Sequence, residues 1–201
     1  VFLAAVSALL VVAVVVVASL PLESFARLRQ YDGIVMTFAT GELLQQLAPF
    51  QDEYVLMAEG YSPAVTLGTG ARRTGFRAAA PGTGVPPHYV AVFGAASPRA
   101  RQDDILTDFR KLDGRNILIV RKTQAAPEDY RPYFGSVELR DLVVRGASFH
   151  LVLGRGFDYT AYRERVLSEV RDRYYRIPAY LPQGGCYVCE RYFGSPTCPP
   201  R

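Results

Sequence analysis

The chain has 201 residues, 49% of them hydrophobic, and a formal net charge of +4 at pH 7. This length is enough for one domain of ordinary size plus a short additional segment. The basic side chains are scattered among acidic ones, which argues against the continuous basic stripe typical of a nucleic-acid-binding protein. All three cysteines lie near the C-terminus, so the body of the fold does not depend on disulfides.

The first twenty residues carry no charged side chain. A helix of about 20 apolar residues rises roughly 30 Å, which matches the hydrocarbon core of a bilayer. A secretory signal peptide is the alternative, but no basic segment is visible before this run, and the run exceeds the usual apolar length of such peptides. We therefore expect residues 1–21 to form a transmembrane helix that ends at Pro21 and is the last span of a longer protein.

Residues 22–30 form a short amphipathic stretch that contains Arg27 and Arg29. We expect it to lie at the membrane interface and to connect the apolar helix to a folded domain. The positive-inside rule favours the cytoplasmic side for these arginines, although that rule compares loops and only one loop is visible.

Residues 31–176 are expected to form a single α/β domain, because short apolar runs alternate with segments of helical periodicity. Residues 137–144 and 147–153 flank Arg145-Gly146, which favours a two-residue hairpin turn, and Asp158 is placed to cap a last helix at 159–175. The pattern predicts a doubly wound, mostly parallel sheet with a C-terminal antiparallel hairpin. The other predicted strands are 33–38, 53–58, 88–93 and 116–120, and the other predicted helices are 41–48, 62–72 and 102–112.

The tail, residues 177–201, is rich in Pro, Gly, Cys and aromatic residues and shows no periodicity. Its sharpest motif is Cys186-x-x-Cys189, which is compatible with a local disulfide, half of a zinc site or a redox pair. A zinc site would need two more ligands, for which Cys198 and either His88 or His150 are available at spacings that are not diagnostic.

No other motif predicts catalysis or cofactor binding. Asp103 and Asp104 could bind a cation, but adjacent helical positions point about 100° apart, and acids in a first turn are explained by the helix dipole. The glycine-rich stretches lack the spacing of a phosphate-binding loop. His88 and His150 each lie in or beside a predicted strand, where a structural hydrogen bond is the simpler interpretation.

Several stretches together resemble a known family. They are YDGIV at 31–35, RQDDILTDF at 101–109, DGRNIL at 113–118, YRPYF at 130–134, RGFDY at 155–159, YYRIP at 174–178 and GCYVCERYF at 185–193. The chain resembles the C-terminal part of bacterial family 39 glycosyltransferases, which are related to protein O-mannosyltransferases and to the aminoarabinose transferase of lipid A.

This resemblance implies a GT-C membrane enzyme with a polyprenyl-phosphate-linked sugar donor and, in some members, a divalent metal. The family's catalytic acids lie in a first extracytoplasmic loop that has no counterpart in these residues, so neither a catalytic residue nor a cofactor is assigned here. The resemblance also places residues 31–176 outside the cytoplasm, on the periplasmic side of the cell membrane, and such a location favours a disulfide between Cys186 and Cys189.

The leading hypothesis is therefore the extracytoplasmic domain of a membrane glycosyltransferase, which caps or supports a membrane-embedded active site. Its expected partners are the lipid bilayer, upstream transmembrane helices and the sugar donor. By charge alone, Arg72, Arg73 and Arg101 are candidates for contact with lipid phosphates. The alternatives are a stand-alone anchored binding, thiol or metal module that uses the cysteine motif, and a purely structural domain.

Overall fold

The computed structural model describes residues 2–94, 105–174, 180 and 187–195. The helices and strands of this part of the chain are α1 (Phe2–Ser19), α2 (Tyr31–Phe38), α3 (Thr40–Leu47), β1 (Tyr54–Ala58), α4 (Tyr61–Thr74), β2 (Ala91–Val92), β3 (Asn116–Arg121), β4 (Phe134–Val144), β5 (Ala147–Phe157) and α5 (Tyr159–Tyr162). Single turns of 3-10 helix occupy Leu22–Phe25, Ala48–Phe50, Phe109–Leu112, Pro127–Asp129 and Arg131–Tyr133, and π-helical turns occupy Arg163–Leu167, Val170–Tyr174 and Cys189–Phe193.

The five strands form one mixed sheet in the order β2-β1-β3-β5-β4. Strand β1 is parallel to β2 and β3, whereas β5 is antiparallel to β3 and to β4. The α/β class is confirmed, but the expectation of a mostly parallel sheet is wrong. The longest ladder is the antiparallel hairpin, which runs from the Phe134–Phe157 pair to the Val144–Ala147 pair.

Both faces of the sheet are covered, which explains why β1 and β3 are apolar almost throughout. On one face, Leu56, Leu118 and Leu151 belong to a core with α2, α3 and α4. On the other face, Val55 and Ile117 belong to a second core. That second core also contains buried aromatic side chains from the chain after β2, namely Phe93, Phe109, Tyr130, Phe134, Phe157, Tyr162 and Tyr192.

The hairpin at Arg145-Gly146 is confirmed. Val144 pairs with Ala147, so two residues make the turn, and both have positive φ (48° at Arg145 and 79° at Gly146). This is the backbone of a type I′ turn, whose twist matches that of the flanking strands. The strands extend beyond the predicted limits, and β4 forms one edge of the described sheet. Its exposed side chains include Glu138, Arg140 and Asp141.

The prediction of a strand at residues 33–38 is wrong, because this segment belongs to helix α2. Its buried side chains are Tyr31, Val35, Met36 and Ala39, a spacing that places them on one helical face against the sheet. The strand predicted at 88–93 shortens to Ala91–Val92. The helices predicted at 41–48 and 62–72 and the strands at 53–58 and 116–120 are confirmed.

The last two predicted helices are confirmed only in part. Residues 105–106 are helical and Phe109–Leu112 is a 3-10 turn, while 102–104 lie outside the described residues. The helix predicted at 159–175 begins as expected, because the Asp158 carboxylate accepts a hydrogen bond from the Ala161 amide at 2.9 Å. It then continues largely as π-helical turns up to Tyr174.

The expected transmembrane helix at residues 1–21 is not found. Helix α1 covers 18 residues, Phe2–Ser19, and the connector that follows contains the 3-10 turn Leu22–Phe25. Among the residues that the structure describes, no helix has both the length and the apolar character needed to cross a membrane.

Candidate functional site

The carboxyl ends of the parallel strands β1 and β3 carry a cluster of polar side chains. Because the strands run in the same direction, Glu59 after β1 and Arg121 at the end of β3 meet at one edge of the sheet. The Glu59 carboxylate accepts hydrogen bonds from Arg121 Nε at 3.1 Å, from the Lys122 amide at 3.1 Å and from Thr123 Oγ1 at 3.0 Å. We refer to Glu59, Arg121, Lys122 and Thr123 as the carboxyl-edge cluster.

The bonding of Glu59 limits what this cluster can do chemically. Both carboxylate oxygens already accept hydrogen bonds, so Glu59 joins the two strands and is poorly placed to exchange protons with a substrate. Arg121 also donates to the Tyr130 hydroxyl at 2.6 Å. Burial raises the pKa of Tyr130, and the nearby guanidinium partly offsets that rise. The cluster therefore has a structural role, since it joins the two strands. Its remaining cationic side chain is Lys122, whose Nζ lies 3.9 Å from Asp32 Oδ2 of α2.

The same edge of the sheet faces the connector that follows α1. The β4–β5 turn lies at this edge, because β4 runs in the same direction as β3. Arg145 in that turn makes ion pairs with Glu42 of α3 at 2.7 Å and with Glu23 of the connector at 3.3 Å. The Tyr31 hydroxyl donates to the Arg145 carbonyl at 2.6 Å, and the hydrogen bond from Arg145 lowers the pKa of Glu42. The edge is thus fixed beside the point where the chain leaves α1.

A second feature is an exposed surface of apolar side chains shared by α1, the connector and α2. It surrounds a shallow depression of about 580 Å³, and α2 contributes Ile34 and Phe38. Phe38 is 74% exposed, which is unusual for a large apolar side chain next to a buried core. We call this the apolar surface and define it by Val14, Val17, Leu20, Leu28, Ile34 and Phe38.

A third feature is a groove of about 410 Å³ where α2 and α3 approach α4. The approach is close because Gly70 has no side chain, and an added Cβ would overlap the Thr40 methyl group and lie 3.2 Å from Leu44 Cδ1. We call it the threonine groove and define it by Thr37, Phe38, Thr66, Thr69, Gly70 and Arg73. Phe38 lines both this groove and the apolar surface, so the two features are contiguous.

The arginines predicted to contact lipid phosphates are not brought to one site. Arg73 lines the threonine groove, whereas Arg72 lines a separate depression of about 130 Å³ together with His88. Both are exposed in the last turn of α4, where cations are favoured by the helix dipole. Arg101 lies outside the described residues.

The predicted cysteine motif is described only at Cys189, since Cys186 and Cys198 lie outside the described residues. Cys189 is fully buried, and this burial raises the pKa of its thiol. The disulfide with Cys186 therefore stays a prediction. Among the described residues, no group of three or more His, Cys, Asp or Glu side chains could hold a metal ion.

The two histidines have local hydrogen-bonding partners and lie in different parts of the fold, since His88 precedes β2 and His150 lies in β5. His88 Nδ1 is 2.7 Å from the Phe76 carbonyl oxygen, and His150 Nδ1 is 2.7 Å from Asp141 Oδ1 across the β4–β5 ladder. This geometry agrees with a structural interpretation of both residues.

The carboxyl-edge cluster and the threonine groove were not predicted from the sequence. Glu59 and Arg121 could have been found, because each directly follows a predicted apolar strand (53–58 and 116–120), where polar residues of parallel sheets meet. The groove could not have been found in this way, since it depends on the packing of α4 against α2, and α2 was expected to be a strand.

Comparisons with known proteins identify no relative of this chain. No protein-family model, no curated protein and no solved structure matches it.

Proposed function

We propose that the chain is a membrane-associated α/β domain that works at the bilayer surface as part of a glycosyltransferase with a polyprenyl-phosphate-linked sugar donor. The observation that carries the membrane association is the exposure of α1 on all of its sides. The transferase role rests on the sequence resemblance.

The exposure of α1 is clearest at four consecutive positions, Leu9, Leu10, Val11 and Val12, which are 59–69% exposed. Four consecutive helical residues cover a full turn, so each side of the helix presents apolar side chains to the outside. Helices that are apolar all round occur inside large proteins or in membranes. Covering each Val or Leu side chain contributes about 1.5–3 kcal/mol, so α1 requires an apolar partner.

That partner is the hydrocarbon of a bilayer or the apolar helices of a membrane protein. The proposal requires contact between α1 and such material and does not require that α1 alone crosses the membrane. The ion pairs from Arg145 to Glu23 and Glu42 then hold the carboxyl edge of the sheet beside the membrane. A domain in this position can limit the access of water to a reaction at the bilayer surface.

The membrane association is tested by flotation of the full chain with phosphatidylcholine vesicles in a density gradient. We expect the chain to float with the vesicles and expect Val12→Lys/Val15→Lys to reduce flotation strongly, because lysine is costly in hydrocarbon. The matched control is Leu139→Lys/Val143→Lys, which adds the same charge to exposed apolar positions of β4. Equal flotation of both double variants would contradict the proposal.

The transferase role is tested in membranes from cells that produce the natural polypeptide. We expect transfer of a labelled sugar from a polyprenyl-phosphate donor, and we expect transfer to fall when Arg145→Ala removes the two ion pairs that orient the domain. The control is Arg131→Ala, which removes an exposed ion pair with Glu128 at another part of the domain. Absence of any transfer by the unmodified polypeptide would contradict the enzymatic role.

A further inference from the structure

We infer that the threonine groove binds the phosphate headgroup of an anionic membrane lipid, with Arg73 as the charged partner and Phe38 in contact with the start of the lipid chain. This inference rests on the proposed membrane association and adds a headgroup site to it.

The charge in the groove is the first argument. Arg73 is the one charged side chain among the residues that line it, and no acidic side chain from the described residues lines it. Arg73 is exposed and makes no ion pair or hydrogen bond with the described residues. An anion in the groove would therefore meet an available guanidinium without displacing a protein carboxylate.

The arrangement of arginines in the rest of the molecule strengthens this argument. Many described arginines already have carboxylate partners, including Arg110 with Asp108, Arg121 with Glu59, Arg140 with Glu138, Arg145 with Glu42 and Arg173 with Glu169. By contrast, Arg27, Arg29, Arg72 and Arg73 make no ion pair with the part of the chain that the structure describes, and the same holds for Arg115, Arg163 and Arg165 elsewhere in the domain. Arg27 and Arg29 flank Leu28 of the apolar surface, so available cations border the surface that faces the membrane.

One of the threonine hydroxyl groups in the groove, that of Thr66, supplies the second argument, because the others already donate their single proton to helix carbonyls. Thr37 Oγ1 donates to the Gly33 carbonyl at 2.8 Å, and Thr69 Oγ1 donates to the Val65 carbonyl at 2.8 Å. Such bonds fix the orientation of the threonine side chains along the walls. Thr66 also lines the groove, and its side chain has no hydrogen bond to the described residues, so its hydroxyl can donate to a phosphate oxygen.

The position of Phe38 favours binding of a lipid over binding of a free phosphate ion. Its ring is 74% exposed and lines both the groove and the apolar surface. A phosphate held by Arg73 would therefore carry its attached chain past an apolar side chain and towards α1. A free phosphate ion gains nothing from Phe38.

The helix dipole alone explains the presence of two arginines in the last turn of α4, because cations are favoured there without any ligand. It does not account for an exposed phenylalanine between the groove and the apolar surface, nor for the absence of acidic side chains from the groove lining. A lipid ligand accounts for both, because its anionic headgroup would match the charge of the groove and its chain would contact Phe38.

The test uses the isotope-labelled full chain in phosphatidylcholine nanodiscs, with the amide signals of Thr66 and Thr69 as reporters. Short-chain dihexanoyl phosphatidate is titrated in one arm and inorganic phosphate in the other. We expect saturable shifts with the lipid and at least about tenfold weaker binding of inorganic phosphate, as the loss of about two buried methylene groups would give. Equal affinity for both would overturn the assignment to a lipid.

Two variants complete the test. Arg73→Gln is expected to weaken lipid binding about tenfold, the size typical of losing a hydrogen bond to a charged group. The matched control is Arg115→Gln, which removes another exposed arginine at the amino end of β3, and which we expect to bind as the unmodified chain does. Unchanged binding by Arg73→Gln would overturn the inference. Failure of the unmodified chain to float with phosphatidylcholine vesicles is a separate result, and it would contradict the proposed membrane association.

Discussion

Glu59 Oε2 accepts a hydrogen bond from Arg121 Nε at 3.1 Å, and this contact joins the carboxyl ends of the two central parallel strands. Both side chains are about four-fifths buried, with 21% and 20% of their area exposed. Ion pairs that are shielded from solvent lose more when one partner is removed than exposed pairs do, because the remaining charge is left without compensation.

Glu59→Gln is expected to lower the free energy of unfolding by about 1–3 kcal/mol, because an amide cannot accept three hydrogen bonds through two oxygens as the carboxylate does. Urea denaturation of the chain in detergent, followed by circular dichroism, measures this. The matched control is Glu138→Gln, whose partner Arg140 is exposed, and for which we expect little change. Equal effects of the two substitutions would contradict a special role for the carboxyl-edge cluster.

Gly70→Ala is expected to destabilise the domain by about 1–2 kcal/mol, because the added methyl group overlaps the Thr40 methyl group and forces α3 and α4 apart. The gain in helix propensity offsets only part of this cost. Thr40→Ser removes the obstructing methyl group and keeps the hydroxyl that bonds to Met36. Thermal denaturation should therefore show the Gly70→Ala/Thr40→Ser variant recovering much of the loss, and a strictly additive double variant would show that steric overlap is not the cause.

The free energy of unfolding is expected to depend on pH through the carboxyl group of Asp108. Its carboxylate accepts hydrogen bonds from the Arg110 amide, Nε and Nη2, and the side-chain bond from Arg110 lowers the pKa of Asp108. A folded-state pKa below the unfolded value means that the contribution is present above about pH 4 and is lost as the pH falls through the lowered pKa. Asp108→Asn should cost about 0.5–1 kcal/mol at pH 7, because asparagine still accepts the cap hydrogen bond from the Arg110 amide but loses the charge that strengthens the bonds from the Arg110 guanidinium.

Urea denaturation at pH 7 and at pH 3 tests whether the contribution of Asp108 to stability decreases on acidification. The difference between Asp108→Asn and the unmodified chain should shrink at the lower pH, because the Asp108 carboxyl of the unfolded chain is then largely protonated and the folded chain loses the advantage of keeping it ionised. A difference that grows on acidification would show that another group controls the effect.

Cys189 is expected to react slowly with alkylating reagents in the folded chain. Burial raises the pKa of its thiol, and the nearby Arg171 only partly offsets this rise. A redox-active dithiol requires the opposite shift, because the thiolate is the nucleophile. Alkylation by iodoacetamide at pH 7, followed by peptide mass spectrometry under reducing conditions, should be about tenfold or more slower than in denaturant. Comparable rates in the two conditions would revive the thiol-module alternative.

The hairpin and the cap at Asp158 could be predicted because their determinants are local. Two turn residues between apolar runs fix the β4–β5 pairing, and an acidic side chain before Tyr159 fixes the start of α5. The other strands, β1, β2 and β3, are parallel as expected. The parallel part of the sheet is smaller than expected because residues 33–38 belong to helix α2 and β2 has only two residues.

Helix α2 shows how an apolar run can mislead. Val35 and Met36 contact the core, while Ile34 and Phe38 contribute to the apolar surface, so apolar residues occupy both sides of the helix. When both sides are apolar, the helical period disappears from the sequence, and a six-residue run looks like a buried strand. Because α2 was not predicted to be a helix, the threonine groove between α2 and α4 could not be predicted either.

Under the proposed membrane association, the edge strand β4 would have a consequence for neighbouring copies of this chain on one bilayer. Confinement to two dimensions brings neighbouring domains together often, and an open strand of 11 residues offers backbone groups on which a second strand could align. Glu138, Arg140 and Asp141 project from that strand, so alignment of two copies would carry hydrated charges into the contact between them. We therefore expect these charges to keep the sheet from extending laterally from one molecule to the next.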